Sequence, residues 1–234
     1  MTRSSLNRHL AVTVGLLLAT VALFEFTNLD LLLQDRFYDF GMKRWLLDRE
    51  DAVLAFIFYG GIKKLLIAFA VAILATLVFF RKRPWVQHYQ KGLLVVLLAS
   101  ICVPVVVGAL KAVTNTPCPR NIAHYGGNYP DVKLFSSYPE GFKQECNIRC
   151  WPAGHASGGF ALLSLFFLFK SPANRKKAAL GALCVGWGMG GYKMLIGDHF
   201  LSHTLVTMFL AWAIVLLLYL AVQRWGGQNS VASD

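Results

Sequence analysis

The apolar positions of this chain fall in long unbroken blocks. Runs such as Leu65-Leu66-Ile67-Ala68-Phe69-Ala70-Val71 have neither the period of two of a half-buried strand nor the single stripe of a soluble helix. Blocks of this kind predict helices that lie in lipid, where the backbone must satisfy its own hydrogen bonds and about 20 apolar residues cross the hydrocarbon core. Six spans are predicted, at roughly 10–27, 62–80, 92–110, 154–170, 177–196 and 203–223. The stretch 52–60 is too short to cross alone and is read as an extension of the second span. An outer-membrane barrel would alternate polar and apolar residues over segments of ~10, and these runs do not. The expected fold is therefore all-α: a polytopic six-helix membrane bundle forming a single domain over residues 1–234, with no internal repeat.

Two segments outside the spans have patterns of their own. In residues 28–50, Leu29, Leu31, Leu32, Leu33, Phe37, Tyr38 and Phe40 interleave with Asp30, Asp35, Arg36 and Asp39. That pattern predicts an amphipathic helix lying on the membrane surface. The stretch 111–152 is the one long loop, with Pro117, Pro119, Pro130, Pro139 and Pro152 along it. Its aromatics and cysteines predict an ordered lid, since a loop this long in a compact protein is functional or disordered.

Composition agrees with the pattern. The chain is 56% hydrophobic and 15% charged, with a mean hydropathy of +0.51, whereas soluble domains carry about 25% charge. Charge then supplies orientation. Segments 1–9, 81–91 and 170–177 hold Arg3, Arg8, Arg81, Lys82, Arg83, Lys91, Lys170, Arg175, Lys176 and Lys177 without an acid, and Arg224 follows the last span. The positive-inside rule places these segments and both termini in the cytoplasm, and the long loop on the non-cytoplasmic side. The net charge of +11 is accounted for by basic residues at an anionic leaflet and calls for no nucleic acid.

Of the five cysteines, Cys102 and Cys184 sit inside spans and read as packing residues. Cys118, Cys146 and Cys150 share the long loop. In an oxidising compartment two of them would pair. Cys118 with Cys150 is the expected pair because it would tie two motif segments together. Composition alone leaves Cys146 open as a partner and a zinc site as a weaker alternative.

Three polar segments border the spans on the predicted non-cytoplasmic side. In Pro152-Ala153-Gly154-His155, the proline suits the first turn of a helix. The following N–H groups would face an anion, and His155 stands where it can donate a proton. In Lys193–His203, a helix would put His199 and His203 on one face, with Lys193 buried in an otherwise apolar span. Ionisable groups within a membrane are costly and mark function. Lys111 closes the third span, and Arg120 follows in the loop. Each segment alone has a plain reading as a helix start, an interfacial histidine or a snorkelling anchor. His-x-x-x-His also fits a metal pair, and a metal-dependent oxidoreductase is the class that pair would imply. Together on one side, the three segments make a cationic pocket suited to a phosphate ester carried on a lipid.

Over roughly residues 92–223 the layout resembles the type 2 phosphatidic acid phosphatase (PAP2) superfamily. That family's pattern is Lys-x6-Arg-Pro, then Pro-Ser-Gly-His, then Ser-Arg-x5-His-x3-Asp. Here Lys111 opens the first motif, Cys118-Pro119 stands where Arg-Pro is usual, and Arg120 follows directly. The second motif is Pro152-Ala153-Gly154-His155, with alanine for serine. The third is Tyr192-Lys193, five residues, His199, three residues, His203, with lysine for arginine and histidine for aspartate. The resemblance implies that His199 attacks phosphorus to form a phosphohistidine, and that His155 serves as acid and then base. It implies that Lys111, Arg120, Lys193 and the Gly154 amide bind the phosphoryl oxygens, with no metal or other cofactor. The nucleophile needs an orienting partner, for which His203 and the adjacent Asp198 both offer themselves.

The expectation is thus a lipid phosphatase of the bacterial inner membrane, with its active site on the periplasmic side. Phosphatidate or phosphatidylglycerophosphate, polyprenyl diphosphate and phosphorylated lipid A are the substrate candidates. Transfer to a second lipid is the close alternative, and a non-catalytic anionic-lipid binder is the alternative from another class.

Overall fold

The structure, a computed structural model, describes residues 2–144 and 146–231. It is mostly helical. Helix α1 (Arg3–Phe26) leads into the short α2 (Leu29–Gln34), and strands β1 (Tyr38–Asp39) and β2 (Arg44–Trp45) form a small antiparallel hairpin. Helix α3 (Ala52–Ala55) runs through a π-helical turn (Phe56–Gly61) into α4 (Ile62–Phe79), and α5 is Pro84–Val113. Helix α6 (Gly154–Ala161) tightens into a 3-10 segment (Leu162–Phe167). Helices α7 (Pro172–Leu195) and α8 (Leu201–Val231) complete the chain.

Among the described residues, four helical stretches are long and apolar enough to cross a membrane: Arg3–Phe26, Ala52–Phe79, Pro84–Val113 and Leu201–Arg224. The stretch 52–60 does extend the second span. The two remaining predicted spans coincide with α6 and its 3-10 continuation, and with α7. The first is short: its two segments have 8 and 6 residues. The second opens on Asn174, Arg175, Lys176 and Lys177 and is rich in glycine. Their packing explains this composition. A Cβ on Gly159 of α6 would lie 2.7 Å from Cα of Gly186 on α7, so the two backbones touch. Helices meeting in this way rely on small residues rather than on apolar bulk.

The core runs along α5 at Val95, Ala99, Val103 and Val107, spaced four apart on one face. Phe160 of α6 and Ala211, Val215 and Leu216 of α8 pack against it. Helix α8 packs against α1, α5 and α6, whereas α4 leans mainly on α5.

The surface helix predicted over 28–50 is corrected to six helical residues, a 3-10 turn and the hairpin. Asp39 redirects the chain. Its carboxylate accepts hydrogen bonds from the Gly41 and Met42 N–H groups at 2.9 and 3.0 Å, and Lys43 adopts a positive φ of 50°. Asp, Gly and a left-handed residue make a turn that an apolar count does not register. The segment still has an apolar side: Tyr38, Phe40, Trp45 and Tyr125 form one aromatic cluster against the lid.

Candidate active site

The motif residues meet at one end of the bundle. Lys111 is in the last turn of α5, His155 in the first turn of α6, Lys193 in the last turn of α7, and His203 in the first turn of α8. The basic starts of α5 and α7 lie at the opposite ends of those same helices.

The third motif is not one helix, as its histidine spacing suggested. Helix α7 stops at Leu195, and Gly197 turns the chain with φ 74°. A side chain at Gly197 would be strained at that φ, and its Cβ would also overlap the Trp45 ring. His199 therefore stands in the connection and His203 on α8, and their rings still approach. His199 Nδ1 lies 3.4 Å from His203 Nδ1, while His199 Nε2 lies 3.5 Å from His155 Nδ1. The backbone of Cys150 hydrogen-bonds to the His203 ring. With Nδ1 of that ring turned to His199, its Nε2 carries the proton and Nδ1 is left as an acceptor. His199 then donates from Nδ1 and presents an unprotonated Nε2 towards His155.

Burial favours this state. His199 is fully enclosed, and its pKa is held well below the usual histidine value. Loss of solvent is the main cause, followed by His203, His155, Lys111 and Lys193. A neutral imidazole is the form that can attack phosphorus.

Two lysines flank the histidines. Lys111 is adjacent to the Gly154 backbone, where an added Cβ would sit 3.9 Å from Lys111 Nζ. Lys193 is buried, with its ammonium 2.8 Å from Asp198 Oδ2. Arg120 joins through the same carboxylate, 2.6 Å from Oδ1, and Arg49 approaches it at 3.8 Å. Asp198 is thus turned to the cations, and the nitrogen of His199 away from His155 is met by His203. The helix start at 152–155 is also revised. Helix α6 begins at Gly154, two residues after Pro152, and the Ala153 N–H is committed to the carbonyl of His203 at 3.1 Å. Gly154 and His155 remain as the first helical residues. Among the described residues no group of three or more His, Cys, Asp and Glu side chains converges as metal ligands.

The surrounding chain holds these groups in place. Cys118 and Cys150 are joined as a disulfide, with their Cα atoms 5.2 Å apart. Cys146 is free and exposed. The bond fixes the backbone that meets His203. From the other side, segment 30–47 clamps the turn that carries Gly197 and His199. Gln34 Nε2 donates to the Met194 carbonyl at 2.8 Å, and the Leu47 N–H to that of Leu195 at 3.3 Å. Asp30 accepts from the Ser202 N–H at 3.0 Å and from its hydroxyl, capping α8 one residue before His203. The Arg120 N–H completes the clamp on the Gly197 carbonyl at 3.0 Å.

Sequence reasoning missed Tyr59, Lys63, Arg49, Asp30 and Gln34. The ring of Tyr59 lies 4.7 Å from that of His155, and the Lys193 ammonium stands 5.0 Å over its face. The one visible signal was Lys63-Lys64, a charged pair interrupting the second apolar block.

A cavity of about 620 Å³ opens from the site between α4, α5 and α6. Lys111, Gly154, His155 and Lys63 line its polar end, and Leu66, Ile67, Ala70, Leu74, Leu97 and Ile101 its long apolar side.

The family model described as the PAP2 superfamily matches residues 91–226. The chain belongs to that superfamily. No curated protein and no solved structure matches it. Membership and the apolar helices together make this a membrane protein of a family of phosphatases and phosphotransferases acting on phosphate esters.

Proposed function

We propose that the protein is a lipid phosphatase of the bacterial inner membrane, acting at the periplasmic face through a phosphohistidine. The observation that carries this reading is the cavity: one end is cationic and holds His155, and the other is an apolar channel beside α4 and α5. A free sugar phosphate has no use for such a channel, whereas a lipid phosphate fills both ends at once. The sidedness rests on the basic ends of α5 and α7 lying away from the site.

In this reading His199 Nε2 attacks phosphorus while His203 accepts the hydrogen bond from Nδ1. Lys111, Lys193 and the Gly154 N–H stabilise the equatorial oxygens. Arg120 adds its charge once the incoming phosphate loosens its pair with Asp198. His155 protonates the leaving lipid oxygen, then takes a proton from the water that opens the phosphohistidine. A neutral histidine as orienting partner stabilises the positive ring formed on attack less than a carboxylate would. Side chains supply the positive charge, so the reading requires no metal.

The test is release of inorganic phosphate from a panel of lipid phosphates by purified protein in detergent containing a chelator. The wild type should turn over at least one of them and His199→Ala none. Lipid binding without phosphate release would make the protein a binder instead. Appearance of the phosphate on a second lipid would make it a transferase.

A further inference from the structure

The three motifs account for Lys111, His155, Lys193 and His199, but not for the aromatic ring that touches two of them. Lys193 is buried, and an ammonium taken out of water needs partners. One is Asp198 Oδ2 at 2.8 Å, the carboxylate that pairs with it among the described residues. The others are rings. Lys193 Nζ stands 5.0 Å from the centre of the Tyr59 ring and 5.7 Å from that of Tyr192. The face of an aromatic ring attracts a cation through its quadrupole, most strongly where water is excluded. It does so without a formal charge. A second carboxylate in the place of Tyr59 would also hold the ammonium, but it would repel a phosphate dianion. A ring leaves the positive charge of Lys193 for the phosphoryl oxygens.

The same ring meets His155. Their centres lie 4.7 Å apart with the planes at 71°, and His155 Nδ1 in turn lies 3.5 Å from His199 Nε2. Tyr59 belongs to the π-helical turn Phe56–Gly61, a geometry frequent at functional sites. Its neighbour Phe58 stacks on Tyr192, with centres 5.4 Å apart and planes at 18°. Two successive residues of the turn thus grip two successive residues of α7, Tyr192 and Lys193. Tyr59 also lines the large cavity together with His155, Lys111 and Gly154. Resting on the lipid phosphatase reading above, we infer that Tyr59 is a positioning residue of the reaction. The face of its ring holds the Lys193 ammonium where the phosphoryl oxygens bind, and its packing fixes the plane of the His155 ring. Both contacts are made by the ring, so the hydroxyl is not required.

The experiment measures phosphate release from phosphatidate, phosphatidylglycerophosphate, polyprenyl diphosphate and lipid A in detergent micelles. The proteins are wild type, Tyr59→Phe, Tyr59→Leu, His199→Ala, and a set in which phenylalanine analogues with one, two or three ring fluorines replace Tyr59. Fluorine withdraws charge from the ring face while nearly preserving its shape. On whichever substrate wild type turns over, Tyr59→Leu should lower kcat about tenfold or more, and Tyr59→Phe should recover most of that loss. Across the fluorinated set kcat should fall step by step, about tenfold in all, with Tm constant. The same fall should persist when Lys63→Gln is added, since Lys63 stands further from the ring, at 5.9 Å. Wild-type kcat in Tyr59→Leu, a Tyr59→Phe as impaired as Tyr59→Leu, equal kcat across the fluorinated set, or a fall that vanishes with Lys63→Gln would each overturn the role of Tyr59 and leave the phosphatase reading standing. Release by His199→Ala, or none by wild type from any of the four lipids, would overturn the phosphatase reading itself and the role of Tyr59 with it.

Discussion

Helices α8 and α4 both have the length and apolarity to cross a membrane, and they form opposite kinds of wall around one site. Of the most apolar stretch of α8, 39% is buried inside the protein; of that of Ala52–Phe79, none is. Helix α8 carries His203, is capped by Asp30 and is packed by α1, α5 and α6. Helix α4 carries the cavity's apolar face and leans on α5. The contrast separates two tasks. In the proposed reading, the groups that meet phosphorus sit on close-packed elements, while the wall that would admit a lipid chain is the exposed apolar surface of α4.

The largest effect is expected on the packed side. His203→Ala removes the partner of His199 Nδ1 and should lower kcat about a hundredfold or more with little change in KM. His203→Asp should recover much of that loss, because a carboxylate accepts the same hydrogen bond and also favours the charged ring. Stopped-time phosphate release gives both constants. A mere packing role for His203 would leave the two variants equally impaired.

On the lipid side, Leu66→Trp should narrow the channel beside Gly158, where an added Cβ would already stand 3.1 Å from Leu66 Cδ1. KM for long-chain substrates should rise several-fold relative to short-chain ones, about 1 kcal/mol of lost apolar contact, with Tm nearly unchanged. Gly159→Val should do the reverse. It forces α6 off α7 and should cost about 1–3 kcal/mol, read as a fall in Tm, without altering chain preference in the protein that remains folded.

The pH dependence probes the packed side further. The pKa of His199 is depressed, so the ring stays neutral at and well below pH 6.5. The acid limb of kcat/KM should therefore lie well under the ordinary histidine value, and a limb centred near 6.5 would count against the buried neutral nucleophile. The smallest effect concerns Asp30, whose pKa is raised from 3.8 to about 6, chiefly by burial. The folded protein binds the extra proton between those values. The stability this contributes is fully present below about 3.8 and is lost as pH rises through about 6. Asp30→Asn should flatten that slope in a detergent melting series from pH 4 to 7.

The sequence displayed the candidate site groups better than the frame around them. Lys111, His155, Lys193, His199 and His203 stood out because charge beside apolar blocks is conspicuous, and the order of their motifs placed them in a family. The turn between α7 and α8 was not legible, because His199 and His203 keep helical spacing even though Gly197 breaks the helix. The hairpin at 38–45 was hidden by an amphipathic pattern that a turn at Asp39 and Gly41 overrides. Helices α6 and α7 read as ordinary spans because their glycine contact is a property of the pair and of neither segment alone. Lys63 carried a signal that snorkelling explains equally well, and only the cavity gives it a second meaning.

The covalent step is the claim from which the rest follows. Wild type and His155→Ala, mixed with a lipid substrate labelled at its terminal phosphate and quenched in alkali, should each yield protein labelled at His199 by peptide mapping. The label should persist longer in His155→Ala, which lacks the base that activates water, and should be absent from His199→Ala. Turnover by wild type with no label on any histidine, or with label on a residue other than His199, would contradict the account.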